Sequence, residues 1–235
     1  MHPIASSPGA SQRQSCCPIW PPEGIWRGGF SIYWEPELEP DISILAKDLP
    51  EAKQRLRSRL GWAGAHAFAE QCLRHVIRCV LSSGQVNRVR VVTNGTLTAA
   101  VATEEGANVW FQRSEGLGNA AQEALQLAPE RHRIILMADL PCLTPTDVQT
   151  LVTNVGAAQL TLVADRHLNG LNGLVVAPGV SFFPELGFGD GLLRNRKLAE
   201  GARLNWNEWH SPGLAFDCDN ASDFEAFLAA RTARI

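Results

Sequence analysis

Three carboxylates, Asp139, Asp217 and Asp219, are spaced as ligands for a divalent cation. Residues 134–138, Ile-Ile-Leu-Met-Ala, form an unbroken apolar run that ends in Asp139 and is followed by Leu140-Pro141. Such a run suits a parallel strand covered on both faces. A carboxylate at its end points into the crevice where open α/β sheets bind ligands. Buried alone it is costly, and Mg²⁺ is one partner that relieves the cost; capping of the turn through backbone amides is the other reading. Residues 213–220, Gly-Leu-Ala-Phe-Asp-Cys-Asp-Asn, read as a second acidic strand end, with 214–216 as the strand. Side chains two apart on a strand point the same way, so Asp217 and Asp219 join Asp139 as metal candidates. For Asp219 a cap on the closing helix is an equal alternative.

Cations and glycines supply the rest of a candidate anion site. Lys47, Lys53, Arg55, Arg57 and Arg59 follow the first apolar run, and cations after a strand end can hold a triphosphate. The alternative is a solvated helix face, which fits Arg57 and Arg59. No Gly-x-x-x-x-Gly-Lys-Ser/Thr occurs, which excludes a P-loop. Gly116-Leu117-Gly118-Asn119 opens a helix, where glycine admits close backbone approach and Asn119 can cap or read a base edge. Asn169-Gly170-Leu171-Asn172-Gly173 and Gly187-Phe188-Gly189-Asp190-Gly191 are loops able to offer N–H groups to an anion. His66, His75 and His132 fit core or surface roles. No Gly-x-Ser-x-Gly and no cysteine in a basic setting supports covalent catalysis.

The elements that must position these residues alternate. Strands are expected at 42–46, 89–92, 134–138, 160–164, 174–177 and 214–216. Helices are expected at 51–60, 63–81 and 119–127, then from the Thr144-Pro145-Thr146-Asp147 cap, and last from Phe224 to about Arg231 behind an Asn220–Asp223 cap. Thr93-Asn94-Gly95 breaks the second strand. This order implies a three-layer α/β/α fold with a mostly parallel sheet. The first 40 residues differ: they hold seven of the 14 prolines and Trp20, Trp26 and Trp34. They read as a partly disordered Pro/Trp-rich extension that packs on the domain at 41–235 or on a second subunit, so a homodimer is one reading.

Composition bounds the function. A chain of 235 residues with 45% hydrophobic residues and a net charge of −3 is one globular domain with an extension, not a general nucleic-acid binder. No apolar stretch is long enough to cross a membrane, and the first ten residues lack a secretory pattern. Six cysteines without metal-ligand spacing read as reduced thiols of a cytoplasmic protein.

Five segments together resemble the 2-phospho-lactate guanylyltransferase family, within the MobA-like nucleotidyltransferases of the GT-A-like nucleotide-diphospho-sugar transferase fold. They are Ala46-Lys-Asp-Leu-Pro-Glu-Ala-Lys53-Gln-Arg55-Leu, Gly116-Leu-Gly-Asn-Ala, Met137-Ala-Asp139-Leu-Pro-Cys-Leu-Thr-Pro, Gly187-Phe-Gly-Asp-Gly191 and Ser211-Pro-Gly-Leu-Ala-Phe-Asp217-Cys-Asp219. The resemblance implies transfer of GMP from GTP to 2-phospho-L-lactate, phosphoenolpyruvate or 3-phospho-D-glycerate, with release of pyrophosphate, in biosynthesis of the deazaflavin coenzyme F(420). It implies Mg²⁺ on Asp139, Asp217 and Asp219, with Asp139, Asp217 and Lys53 catalytic. It places the nucleotide on Lys47, Lys53, Arg55, Asn94, Gly118 and Asn119, and the acceptor on Leu171, Asn172, Gly189 and Leu192. The family has Thr-Asn where this chain has Leu171-Asn172, and Ser where it has Leu192. Asp190 replaces a family proline. These departures touch the acceptor side. Rival readings are another MobA-like nucleotidyl or glycosyl transferase of the same fold, and a catalytically inactive nucleotide-binding assembly protein.

Overall fold

The computed structural model describes residues 39–84, 88–154, 156 and 158–232. The expected Pro/Trp-rich extension, with Trp20, Trp26 and Trp34, lies outside the described residues apart from Glu39 and Pro40.

Central strands buried at every residue build a sheet that is covered on both sides. The strands are β1 (Asp41–Leu45), β2 (Val89–Thr93), β3 (Asn108–Phe111), β4 (Arg133–Met137), β5 (Leu160–Ala164), β6 (Leu171–Val176) and β7 (Trp206–Trp209), in the spatial order β3-β2-β1-β4-β6-β5-β7. Strands β1 to β4 run parallel, β6 runs against β4 and β5, and β5 and β7 are parallel. Along β4, Ile134 and Leu136 enter one core and Ile135 and Met137 the other, as successive strand side chains must.

The first core packs the sheet against α1 (Arg57–Ser82), α2 (Thr96–Glu104) and α4 (Pro145–Asn154). The second packs it against α3 (Leu117–Gln126) and α5 (Gly191–Gly201). Burying a side chain such as Ile134 or Leu136 contributes about 1.5–3 kcal/mol, so two faces of such residues hold the layers together. The short α6 (Pro212–Ala215) and the closing α7 (Ala221–Thr232) complete the chain. A third cluster, including Leu56, Phe68, Cys72 and Cys218, seats α7 against α1, with the Phe68 and Phe224 rings edge to face at 5.1 Å. Among the described residues no helix is long and apolar enough to cross a membrane.

Several expected elements differ. Residues 214–216 are not a strand. Ser211 caps a helical turn by accepting from Leu214 N–H, with Pro212 at its first position, and that cap outweighs the apolar triplet Leu-Ala-Phe. The expected helix at 51–60 is instead two 3-10 turns, Leu49–Glu51 and Gln54–Leu56, before α1 starts at Arg57. Lys53 between them is left-handed, at φ 49° and ψ 36°. Strand β6 begins at Leu171, earlier than its apolar run indicated. The short edge strands β3 and β7, and helices α2 and α5, carry too little patterned apolar sequence to have been anticipated.

Register decides what meets at the active edge. Leu45 pairs with Met137, so the chain leaves β1 and β4 side by side. The reversed β6, paired Leu136 to Gly173, brings Leu171 and Asn172 to the same edge. Gly173 is needed there, because a Cβ would lie 2.5 Å from the Ile135 carbonyl oxygen.

Candidate active site

A cleft of about 690 Å³ opens at the carboxyl ends of β1 and β4. Lys47, Lys53, Arg55, Asp139, Leu171, Asn172, Gly189, Asp217 and Asp219 all line it. These expected site residues lie as far apart as 47 and 219, and the fold gathers them around one space.

The centre is an ammonium between carboxylates. Lys53 Nζ donates to Asp139 Oδ2 at 2.6 Å and to Asp219 Oδ1 at 2.9 Å, with only 6% of its side chain exposed. Burial alone would lower the Lys53 pKa, but the two carboxylates hold it well above its usual value. Burial opposes ionisation of Asp219 too, yet Lys53 keeps its carboxyl below the usual range. Asp219 is therefore no helix cap: Asn220 accepts from the N–H groups of Ser222 and Asp223 instead. Asp217 behaves oppositely. Burial, then the charges of Asp139 and Asp219, push it up to about 7.

Asp217 follows the helical turn α6 by two residues, in a segment without regular secondary structure, rather than ending a strand. Behind it, burial pushes the Cys72 and Cys218 thiols up to about 12, which makes them poor nucleophiles and poor ligands at neutral pH.

A second layer fixes the acidic segment. Asp223 Oδ2 accepts from Asp219 N–H at 2.9 Å and Asn220 N–H at 3.0 Å. Its other oxygen pairs with Arg166, whose guanidinium lies over the Phe216 ring at 4.4 Å. Upstream, Asp147 accepts from Thr144 N–H and from the Ser211 hydroxyl, which realises the predicted cap of α4 and pins residue 211 to it. Gly213 is obligatory here, since a Cβ would lie 2.1 Å from Asp147 Oδ2. Asn172 is buried and donates through Nδ2 to the Leu214 carbonyl at 3.0 Å. It braces the acidic segment from the β6 side.

Other expected residues fall outside the cleft lining. Asn94 is an exposed residue after β2. Asn119 is exposed and donates to the Glu115 carbonyl, and Leu117 of the same helix lines the cleft instead. Gly118 packs toward the Pro184 carbonyl. Leu192 is fully buried in the second core, with its N–H on the Asn169 carbonyl.

Two acids were overlooked. Asp165 carries the β5–β6 turn, accepting from the N–H groups of His167, Asn169 and Gly170; like Asp139 it ends an apolar strand, and that signal was available. Asp48 accepts from Leu49 N–H and Thr98 N–H, so it tethers the loop carrying Lys47 and Lys53 to α2. A Cβ on Gly95 would lie 1.9 Å from this carboxylate.

The donor set suits a hard cation. Asp139, Asp217 and Asp219 offer oxygen only; Lys53 pairs with Asp139 and Asp219, while burial, and then those two carboxylates, push Asp217 up. Among the described residues no three His, Cys, Asp or Glu side chains form a ready cage. Mg²⁺ needs none, because it keeps waters and binds through one or two carboxylates plus phosphate oxygens.

A mostly parallel sheet between two helical layers is the fold shared with nucleotidyl and nucleotide-diphospho-sugar transferases. Solved structures of that class share the fold. A putative nucleotide-diphospho-sugar transferase from Desulfovibrio desulfuricans superposes with a TM-score of 0.66 at 15% identity, covering 80% of this chain and 85% of that one. A nucleotidyl transferase from Methanothermobacter thermautotroptrophicus gives 0.60 at 16% identity, covering 81% and 98%. The MobA-like NTP transferase domain matches residues 65–203, and the chain belongs to that family as a nucleotidyltransferase. Curated relatives include the phosphoenolpyruvate guanylyltransferase of Sphaerobacter thermophilus, 30% identical over 75% of this chain and 86% of the relative. That of Streptosporangium roseum is 36% identical over 69% and 73%.

Proposed function

We propose that this enzyme transfers GMP from GTP to the phosphate of a small phosphorylated acid, with phosphoenolpyruvate the first candidate among it, 2-phospho-L-lactate and 3-phospho-D-glycerate. Pyrophosphate is released, and the product serves coenzyme F(420) biosynthesis. The observation that carries the reading is the gathering of Asp139, Asp217 and Asp219 in one cleft at the carboxyl edge, with Lys53 bridging Asp139 and Asp219. The names of the relatives supply the nucleotide and the acid.

The chemical task is to bring two anions together. At about 4 Å and an effective dielectric near 20, each pair of like charges repels by about 4 kcal/mol. Lys47 and Arg55, exposed on the loop after β1 and facing the cleft, would receive the triphosphate. Asp139, Asp217 and Asp219 would hold the divalent ion. When bound, that ion supplies charge neutralisation between the acceptor phosphate and the α-phosphate of GTP and stabilises the departing pyrophosphate. An acceptor phosphate oxygen is already ionised, so the chain need supply no general base. The Asp165–Gly170 turn and the Gly187–Gly191 loop bound the side of the cleft opposite the basic loop. We assign the acceptor to that side, with Leu171, Asn172 and Gly189 lining it.

The test is pyrophosphate release and product mass with GTP, Mg²⁺ and each acid separately. Phosphoenolpyruvate is expected to give the fastest release. No release with any of the three, from protein that binds GTP, overturns the reading.

A further inference from the structure

Lys53 occupies the place that a cation between Asp139 and Asp219 would take. Its Nζ bridges the two carboxylates at 2.6 Å and 2.9 Å. An ammonium and a divalent ion cannot share that space without strong like-charge repulsion. Yet the site as a whole holds more negative charge than one ammonium balances, since Asp217 faces the same cleft. We propose that Lys53 is an exchangeable counter-ion: without nucleotide it fills the cation position, and the triphosphate of an arriving nucleotide draws it off so that a divalent ion enters.

Its backbone supports this. Lys53 sits in the left-handed region at φ 49°, a conformation unfavourable for any side chain bearing a Cβ. It lies between two 3-10 turns and not inside a regular element. The two ion pairs therefore hold the side chain of a strained residue at the break between those turns, and release of that side chain needs no movement of the tethered loop. The anions that would attract it arrive beside Lys47 and Arg55, which flank the same segment and face the cleft. Metal and triphosphate then bind with positive coupling, beyond the direct coordination of metal by phosphate, because each removes an obstacle to the other. The inference rests on the nucleotidyl-transfer reading of the cleft and adds an order to it: metal alone binds weakly.

The experiment titrates the full chain with Mn²⁺ at pH 8 without nucleotide, reading free ion by paramagnetic resonance. Lys53→Met is expected to bind Mn²⁺ about tenfold more tightly than wild type or better, because two carboxylates lose their internal cation. Lys53→Arg keeps the charge and is expected to bind as weakly as wild type. A metal-free titration with tripolyphosphate should show weaker binding to Lys53→Met. Lys53→Gln replaces Lys53→Met if the latter fails to fold. Mn²⁺ binding to Lys53→Met or Lys53→Gln that is equal to or weaker than wild type overturns the exchange. The Mn²⁺ arm needs neither GTP nor acceptor, so its failure is distinct from an absence of pyrophosphate release, which overturns the guanylyl reading alone.

Discussion

The two walls of the cleft are built differently. The acidic wall, Asp139 with Asp217 and Asp219, rests on a fully buried strand and is tied down by Asp223, Asp147, Gly213 and Asn172. The opposite wall, Gly187 to Gly191, is exposed through Asp190, and Phe188 stands 53% exposed with Arg194 stacked over it at 4.7 Å. A wall fixed by buried hydrogen bonds holds charges in place. A wall of glycines around an exposed ring adapts to what it meets. Of the departures from the family pattern, Asp190 falls on the adaptable wall, whereas Leu171 lies buried on β6.

The contrast can be broken most directly at Asp139. Asp139→Asn keeps the shape and removes the charge, and turnover is expected to fall about a thousandfold, comparable to losing a principal electrostatic group in other enzymes; circular dichroism should remain that of the wild type. Next is Asp223→Asn, which breaks the pair with Arg166 and sets an amide NH₂ against either that guanidinium or the two N–H groups. Divalent-metal affinity is expected to drop about 10–100-fold, as for other groups that orient ligands, measured by Mn²⁺ titration well below the melting temperature.

Asp217 gives a pH test. Its folded pKa of about 7 is above the unfolded value, so the folded state holds the proton more tightly, and stability is lost as pH rises toward 7. His132, lowered by burial, works in the opposite direction near its own titration. The comparison with Asp217→Asn isolates the carboxylate: without divalent metal, the variant should out-melt wild type by a margin that grows from pH 5 to pH 8. The smallest effect is expected on the other wall. Phe188→Ala should leave the melting temperature nearly unchanged, since exposed substitutions stay within about 0.5 kcal/mol, while acceptor KM rises and the KM for GTP does not. A loss of stability there would show the rim to be as fixed as the acidic wall.

Much of the acidic wall was legible. A buried apolar run ending in Asp139 carries its own signature, and the Thr144–Asp147 and Asn220–Asp223 caps were readable from spacing. The fold class followed from the alternation of strands and helices. Lys53, by contrast, read only as one of several cations able to hold a triphosphate, because its pairing depends on carboxylates 86 and 166 residues away. The support from Asp223 was hidden for a related reason: a capping residue and a brace for the acidic segment look identical in sequence. Asp217 was placed on a strand because Leu-Ala-Phe is apolar, whereas the Ser211-Pro212 start makes a helical turn. Helix α5 was missed because few of its residues, Leu192 and Ala199 among them, reach the core.

The Lys53–Asp219 pair closes a separation of 166 residues, and β1 must await β4 to gain its central partner. Closing loops of that size precedes any gain from the contacts they permit. The nascent chain can therefore complete the β1–β2–β3 portion and its helices while the cleft is still without Asp217 and Asp219. Catalytic competence must therefore wait until residues 217 and 219 have emerged.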